Sequence, residues 1–320
     1  MNNYSWFQQK LHKLALSSQF MRETSFELEN VLFSNSDIEN HVFVSGLARS
    51  GTTILLNAIF KSNEFASLTY QDMPFILSPN LWSKFSFSKE RDIFIERAHN
   101  DGIKISKSSP EAFEEIFWKT FKQSDVDTIE KFKTYISLIN YKYKKNRYLS
   151  KNNQNIKRID FILNNFPNSK ILIPFRDPIQ HSYSLLNQHK RFIKLSIKDN
   201  FISQYMNLIG HSEFGPNYRP LFNKNIVYTD VFNINHWIEQ WYLTYKMCLK
   251  NFKNYQNIYF VCFEKLCESE DYWLNIIKFL EVRKSYNYEF TFPKKKKYKK
   301  VNSNFWKKSL DLYNKLNLLY

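Results

Sequence analysis

A short apolar run that ends in a glycine-bounded loop constrains the fold of this chain more than any other feature. His41–Ser45 (HVFVS) is typical of a buried strand, and Thr52–Lys61 (TTILLNAIFK) is typical of a helix. The segment Gly46–Thr53 (GLARSGTT) joins the two. Because a strand, a tight loop and a helix in this order begin a βαβ unit, we predict an α/β fold with a central, mostly parallel sheet flanked by helices.

The loop itself has the spacing of a phosphate-binding loop. A loop that leads into a helix offers unpaired backbone N–H groups and the positive end of the helix dipole to an anion. Gly46 and Gly51 have the G-x-x-x-x-G spacing of nucleotide-binding loops, in which Lys comes next. Here Thr52 follows, and Arg49 is the only cation in the loop. We expect the loop to bind a phosphate-like group but to be poorly equipped for metal-assisted NTP hydrolysis, and a purely structural turn is the alternative.

Strand and helix patterns alternate along the rest of the chain. Further strands are predicted at Arg147–Ser150, Lys170–Phe175 and Asn257–Phe263. Helices are predicted at 4–20, Pro110–Phe121, Asp127–Lys145, Ile156–Phe166, Pro178–Phe192 and Val231–Asn251. Glycines and prolines predict an irregular loop over 210–230. We divide the chain into an N-terminal helical segment packing on the main domain (1–40), an α/β domain (41–285) and a basic C-terminal extension (286–320).

The composition is strongly basic, with 46 Lys and Arg against 30 Asp and Glu and a net charge of +16. A basic surface attracts polyanions, but the abundance of Lys, Asn, Ile, Phe and Tyr, which all have AT-rich codons, gives the same charge through codon bias. The densest patch is the run Lys294–Lys297 with Lys299 and Lys300. We interpret it as a solvated stretch rather than a ligand contact, so no nucleic-acid partner is expected.

Cysteine usage and hydropathy bound the environment of the chain. The chain has three cysteines and no C-x-x-C motif, so the sequence predicts neither a disulfide framework nor a metal site. No window approaches 18 uninterrupted apolar residues, and the N-terminal residues lack the pattern of a signal peptide. We therefore expect a soluble, cytoplasmic protein without a transmembrane helix. Peripheral contact with a membrane and the oligomeric state stay open.

At the loop, the chain resembles a known family. The run FVSGLARSGTTILLNAIF resembles the 5′-phosphosulfate loop of sulfotransferases that use 3′-phosphoadenosine 5′-phosphosulfate (PAPS). It is closer to the tyrosylprotein and bacterial branches than to the cytosolic small-molecule branch, which has Lys in place of the loop Arg. The resemblance covers roughly residues 40–285 and implies a P-loop-like nucleotide-binding fold. It implies that the 5′-phosphosulfate is bound by Arg49, Ser50, Gly51, Thr52 and Thr53.

A second motif resembles the 3′-phosphate site of the same family. In Lys170–Ser184 (KILIPFRDPIQHSYS), a strand is followed by Arg-Asp-Pro and a helix. Arg176 offers a bidentate fork to a phosphate, and Ser184 adds a hydroxyl two turns into the helix. Alone, the motif is equally well explained by a helix start with a surface Arg. Together with the first loop, it predicts that Arg176 and Ser184 hold the 3′-phosphate of PAPS, the expected co-substrate, with no metal.

Sulfuryl transfer also needs a cation near the bridging oxygen of the leaving phosphate. Arg49 is one candidate. Lys151, at the predicted end of a strand, is the other, because related sulfotransferases have a Lys there that contacts the sulfuryl donor. A plain surface lysine is the alternative for Lys151.

The general base is left open between Asp72, His211 and other residues, among them His189 and His236. The cytosolic branch has a His just after the Lys motif, whereas residues 152–154 here are Asn, Asn and Gln. Tyrosylprotein and heparan-type enzymes use a Glu after the phosphate loop, and Asp72 is the nearest match, although a helix N-cap is nearly as good an explanation for it. His211 lies in the Gly- and Pro-rich loop, where acceptor-binding residues tend to occur.

The adenine needs an apolar or aromatic contact, and the candidates are Trp82, Trp118, Phe175 and Phe263. For each of them, core packing is the default.

The sequence thus predicts a PAPS-dependent sulfotransferase that acts on a hydroxyl of an unknown acceptor, with a carbohydrate or surface-polymer precursor slightly favoured. Three alternatives stay open at this point. A P-loop kinase of small molecules predicts binding of ATP with Mg²⁺, and a basic nucleic-acid-binding protein predicts a broad positive face. An inactive relative would keep the nucleotide site without a base.

Overall fold

The structure is a computed structural model, which describes residues 6–33, 39–86, 93–96, 102–223, 226–284, 286–291, 297–298 and 304–319. Of the Lys-rich run, only Lys297 is among these residues, and it is exposed. The prediction of a solvated stretch at Lys294–Lys296, Lys299 and Lys300 therefore lies outside the described residues.

Five parallel strands form the central sheet in the order β2-β5-β1-β6-β7. Their bounds are β1 Glu39–Val44, β2 Phe65–Ala66, β5 Arg147–Lys151, β6 Lys170–Phe175 and β7 Ile258–Cys262. A separate antiparallel pair consists of β3 Ile95–Glu96 and β4 Lys104–Ile105. The inner strands are buried runs of apolar residues, as expected for a parallel sheet covered on both faces. The predicted α/β fold with a parallel sheet is confirmed.

Helices cover the sheet on both sides and account for most of the remaining chain. They are α1 Trp6–Ser17, α2 Gln19–Leu32, α3 Thr52–Phe60, α4 Pro79–Phe85, α5 Glu115–Thr120, α6 Thr128–Tyr143, α7 Ile159–Asn165, α8 Pro178–Lys198, α9 Asn200–Leu208, α10 Ile234–Phe252, α11 Phe263–Glu268, α12 Glu270–Phe279 and α13 Asn304–Asn317. Two 3₁₀ turns occur at Tyr70–Asp72 and Asn153–Lys157.

Several predicted helices have different bounds in the structure. The helix predicted at Pro110–Phe121 begins only at Glu115, because the preceding residues form a β-bridge between Thr69 and Pro110. The helix predicted over Ile156–Phe166 is divided between a 3₁₀ turn and α7. The single N-terminal helix predicted at 4–20 ends at Ser17, where Ser18 becomes the N-cap of α2.

The register of the sheet determines which residues reach the same edge. Val44, the last residue of β1, pairs with Lys151 at the end of β5 and with Leu172 in β6. The loop that follows β1 and the last residue of β5 therefore lie side by side at the carboxyl edge. Parallel α/β sheets bind their ligands at this edge.

The N-terminal helices are attached by buried polar contacts. Glu29 in α2 is fully buried and accepts hydrogen bonds from the backbone N–H groups of Asn80 (2.7 Å) and Leu81 (2.9 Å), so it serves as the cap of α4. Arg22 Nε donates to Thr120 Oγ1 over 2.7 Å. At the other end of the chain, α13 packs on α10 and α8. The division at residues 40 and 285 stays a prediction.

In the part of the chain that is described, no helix is long and apolar enough to cross a membrane. All three cysteines are free thiols, and Cys248 and Cys262 are buried. A cytoplasmic location stays a prediction.

Candidate active site at the carboxyl edge of the sheet

Two glycines give the loop after β1 its shape. Gly51 has a φ of +102°, and a Cβ built on it would lie 2.6 Å from Cδ2 of Phe263. A side chain is therefore excluded there by both the backbone conformation and the neighbouring ring. At Gly46, a Cβ would lie 3.0 Å from the carbonyl oxygen of Pro174. The loop thus packs closely against β6 and against the start of α11.

Two hydrogen bonds also fix the base of the loop. Ser50 is fully buried, and its Oγ donates to the carbonyl oxygen of Leu47 over 2.7 Å. His181 Nε2 lies 2.8 Å from the carbonyl oxygen of Ala48, so this nitrogen carries the proton. Burial, assisted by the charge of Arg176, lowers the pKa of His181 to about 3. A neutral imidazole therefore holds the loop from below.

A cavity of about 520 Å³ opens above the loop, at the carboxyl edge of the sheet. It brings together seven of the predicted catalytic and phosphate-binding residues: Arg49, Gly51, Thr52, Thr53, Lys151, Arg176 and His211. Ser50, Asp72 and Ser184 do not line it. Strand ends, phosphate loop and the 210–230 loop thus converge on one space.

Ser184 reaches the site through Arg49. Arg49 has a φ of +71°, and its Nε donates to Ser184 Oγ over 3.3 Å. The phosphate loop and the second turn of α8 are therefore in direct contact.

Arg176 is a desolvated cation at the end of β6. Its guanidinium lies 5.3 Å from the ring centroid of Phe263, and its buried Nε has no hydrogen-bond partner among the described residues. Burial lowers the pKa of Arg176, and the charge of Glu264 opposes this effect. Arg176 as a whole is half-buried and lines the cavity, so its guanidinium is suited to bind an anionic ligand there.

Lys151 has an acidic neighbour that the sequence analysis missed. Its Nζ lies 3.8 Å from Oε1 of Glu111, and both side chains are 7% exposed. Oε2 of Glu111 accepts a hydrogen bond from Tyr70 Oη (2.8 Å), and Oε1 accepts one from the N–H of Ala112 (2.8 Å). No local pattern could have found Glu111, because the bridge between Thr69 and Pro110 brings its segment to the cavity.

Asp72 occupies a structural position. It is fully buried, and Oδ2 accepts hydrogen bonds from the N–H of Thr69 (2.7 Å) and from Tyr143 Oη (2.6 Å), while Oδ1 forms an ion pair with Lys142. Asp72 and Thr69 form a reciprocal capping box around the 3₁₀ turn. Thr69 is the N-cap of this turn and Asp72 is its capping-box partner at the third position, so Asp72 is not the N-cap that the sequence offered as its alternative explanation.

Three polar side chains form the wall near the 210–230 loop. His211 Nε2 lies 3.0 Å from the carbonyl oxygen of Ala112, so Nε2 carries the proton and Nδ1 is the acceptor. Asn153 Nδ2 donates to Glu213 Oε1 over 2.8 Å. Asn153 Oδ1 is buried without a hydrogen-bond partner in the described part of the chain. All three residues line the cavity, and the sequence analysis did not predict Asn153.

Of the aromatic candidates for the adenine, Phe263 alone lines the cavity. Trp118 and Phe175 belong to the buried core, and Trp82 Nε1 donates to the carbonyl oxygen of Gln71. Across the described ranges, no group of three or more His, Cys, Asp or Glu side chains could hold a metal ion.

Several solved structures resemble the chain weakly. Sulfotransferase STF9 from Mycobacterium avium is 12% identical, with 87% of this chain and 74% of that chain covered and a TM-score of 0.45. For sulfotransferase STF1 from Mycobacterium tuberculosis H37Rv, the identity is 11%, the coverages 86% and 77%, and the TM-score 0.47. For the sulfotransferase domain from the curacin biosynthetic pathway, these values are 10%, 78%, 76% and 0.37.

The sequence itself gives the stronger result. A search of curated proteins found no significant match. The family profile described as "Sulfotransferase family", in contrast, matches residues 41–284, which is most of the chain and includes every lining residue of the cavity up to that position. The predicted enzyme class is thereby confirmed, and the chain belongs to the sulfotransferase family.

Proposed function

We propose that the chain transfers the sulfuryl group of PAPS to a hydroxyl of its acceptor. The observation that carries this proposal is the joint lining of one cavity by the phosphate loop, Lys151 and Arg176. A nucleotide with phosphates at both ends of its ribose needs two separate anion sites at a fixed distance. The loop and Arg176 would supply such a pair.

The donor would lie with its 5′ end on the loop. The backbone N–H groups at Gly51, Thr52 and Thr53 open α3 and would hold the phosphosulfate, together with the guanidinium of Arg49. Arg176 would hold the 3′-phosphate together with Ser184, which reaches the site through its contact with Arg49. Phe263, which packs against both Gly51 and Arg176, is then the best-placed ring for the adenine.

The Ser50 hydroxyl has a different task in this proposal. It is buried and used by the carbonyl of Leu47, so it would shape the loop rather than touch the phosphosulfate. Its contribution to binding would be indirect.

The chemical step would be an in-line displacement at sulfur. The acceptor oxygen forms a bond to sulfur, the bond between sulfur and the bridging phosphate oxygen breaks, and adenosine 3′,5′-bisphosphate leaves with the electron pair. Lys151 and Arg49 would stabilise the charge that develops on the leaving phosphate. The acceptor's proton goes to a base in the cavity.

Glu111 and His211 are the two candidates that we propose for that base. Glu111 is a carboxylate next to Lys151, and both side chains line the same cavity. His211 presents Nδ1, because Nε2 is engaged by a carbonyl oxygen. We favour Glu111, since the cation that would face the leaving group lies 3.8 Å away.

The cavity wall formed by His211, Asn153 and Glu213 favours a neutral substrate that is rich in hydroxyl groups. Asn153 Oδ1 has no hydrogen-bond partner among the described residues, so this oxygen and the Glu213 carboxylate can both accept a hydrogen bond from a substrate. Met206 and Phe214 add apolar surface to the same cavity. Hydroxyl groups of a substrate can donate to these oxygens, whereas a negatively charged substrate would be repelled by Glu213. A carbohydrate or a surface-polymer precursor fits this wall.

The test is release of adenosine 3′,5′-bisphosphate from PAPS in the presence of neutral oligosaccharides, compared with the same oligosaccharides carrying carboxylates. We expect faster release with the neutral set. Glu111→Gln should lower kcat by about 100-fold while leaving the Kd for the bisphosphate nearly unchanged. His211→Gln is the matched comparison, and a larger loss there would assign the base to His211. Release that is equal with and without every acceptor would contradict the proposed transfer.

A further inference from the structure

Helix α1 is apolar on two opposite faces. One face packs on the protein through the buried residues His12, Ala15 and Leu16. The opposite face exposes three large apolar side chains: Trp6 (69% exposed), Phe7 (67%) and Leu14 (58%). A helix on the surface of a protein in water normally presents polar residues on its outer face. An outer face with three large apolar side chains therefore indicates that another molecule binds there.

The outer face is also basic. At the helical repeat, Lys10 and Lys13 fall on the same face as the three apolar residues, and both are exposed. Lys10 Nζ lies 3.9 Å from the ring centroid of Trp6. No acidic residue occurs in α1. Tryptophan, phenylalanine and leucine interleaved with lysines are typical of helices that lie in the interface of an anionic membrane.

A second basic face lies at the end of α8. Lys190, Lys194 and Lys198 are exposed on one side of this helix, and Ile197 beside them is 81% exposed. No acidic residue occurs in α8. Asp199 then ends α8 and caps α9, so the two helices meet there.

Helix α1 packs on α9 with its first turn toward that junction. Arg22 bonds to both the carbonyl of Leu16 and the hydroxyl of Thr120, and the adjacent Lys119 Nζ donates to the carbonyl of Asn207 over 2.5 Å. The last turn of α1 is therefore near the end of α9. His12, one turn earlier in α1, lies 5.9 Å from Tyr205 between ring centroids, so α1 runs back along α9 toward its start, where the basic end of α8 lies.

We propose that the outer face of α1, together with the basic end of α8, binds an anionic lipid surface. Charge complementarity selects this occupant: both faces are positive, and the chain carries a net charge of +16. A second copy of the chain would bring the same positive faces together, which is unfavourable. The membrane contact is separate from the cavity and does not depend on the transfer reaction.

The test is sedimentation of the full chain with vesicles of phosphatidylcholine alone and with vesicles that contain phosphatidylglycerol as well. We expect binding to the mixed vesicles that is released at about 1 M salt, where charges are screened. Trp6→Ala with Phe7→Ala should weaken the binding by about tenfold or more. Lys10→Glu with Lys13→Glu should weaken it by at least about 25-fold.

The matched control is Lys250→Glu with Lys253→Glu, which makes the same charge change at exposed positions near the end of α10. This pair should bind the mixed vesicles far better than the α1 charge variant. All variants should keep the Tm and the bisphosphate affinity of the parent.

Three results would overturn the proposal. The first is no binding to mixed vesicles, or equal binding to both kinds. The second is an equal loss of vesicle binding in the Lys250/Lys253 control, which would show that binding depends on the net charge of the chain and not on α1. The third is a fall in molecular mass by light scattering in Trp6→Ala with Phe7→Ala, which would make the face a self-association surface.

Discussion

Arg49 Nε donates a 3.3 Å hydrogen bond to Ser184 Oγ, which joins the phosphate loop to α8. In the proposed donor complex, the same two side chains lie between the 5′ and the 3′ ends of the nucleotide. The contact would therefore orient the Arg49 guanidinium before the donor arrives. Arg49 would need little reorganisation on binding, which favours tight binding.

Ser184→Ala should accordingly weaken binding of adenosine 3′,5′-bisphosphate by about tenfold, because a hydrogen bond to a charged group is lost. Isothermal titration measures this directly. The control is Ser182→Ala in the same helix, whose hydroxyl donates to the carbonyl of Pro178 over 2.6 Å and does not line the cavity. An equal loss in both variants would show that the effect comes from the helix and not from the site.

Gly51 allows a clean measurement of a steric effect. Gly51→Ala should lower the free energy of unfolding by about 1 kcal/mol through its positive φ and by about 2 kcal/mol more through overlap with Phe263. Gly102→Ala is the matched control, because Gly102 also has a positive φ (+78°) but its Cβ would meet nothing within 4 Å. Urea unfolding of both variants gives the difference. Equal losses would contradict the close packing of the loop on Phe263.

Asp72→Asn separates the two roles that the sequence allows for this residue. If Asp72 has a structural role and pairs with Lys142, the substitution should lower the free energy of unfolding by about 3 kcal/mol, because Lys142 loses its partner. The kcat of the folded fraction should change by no more than about threefold. A loss of about 100-fold in kcat with unchanged stability would instead identify Asp72 as the base.

Two buried histidines predict how stability depends on pH. Burial lowers the pKa of His41, and also that of His181, to about 3, each assisted by a nearby arginine. The unfolded chain binds protons at these residues from about pH 6.5 downward, while the folded chain does not until about pH 3. Stability is therefore full above about pH 6.5 and falls by up to about 1.4 kcal/mol per pH unit for each histidine below it.

Denaturant unfolding between pH 7 and pH 5 measures this slope. His41 Nδ1 accepts a hydrogen bond from the N–H of Tyr148, so protonation at this nitrogen would break a buried contact. His41→Gln keeps an acceptor without the titration and should make the slope shallower. A slope that is unchanged by this substitution would contradict the assignment to His41.

Local patterns in the sequence predicted the parts of the site that lie within one strand–loop–helix unit. The phosphate loop and Arg176 follow the ends of β1 and β6, and Lys151 is the last residue of β5; parallel strands place such residues at one edge. That geometry follows from topology alone. Four of the five strands of the central sheet were therefore predicted to within a residue or two, whereas the two-residue strand β2 was missed.

Residues whose position depends on distant contacts could not be predicted in this way. Glu111 reaches the cavity through the bridge between Thr69 and Pro110, and α4 is capped by Glu29 from another helix. Asn153 lies in a 3₁₀ turn that no apolar period indicates. The sequence marks each of these as an ordinary polar residue, and only packing gives it a partner.

The central claim is that the cavity binds a nucleotide through a 3′-phosphate, and the most direct measurement is a calorimetric titration with adenosine 3′,5′-bisphosphate, with AMP and with ATP–Mg²⁺. We expect the bisphosphate to bind most tightly. Arg176→Ala should lower its affinity by roughly 10- to 100-fold and leave that of AMP nearly unchanged, whereas the exposed control Arg283→Ala should affect neither. Tighter binding of ATP–Mg²⁺, or an equal loss for AMP in Arg176→Ala, would contradict the account.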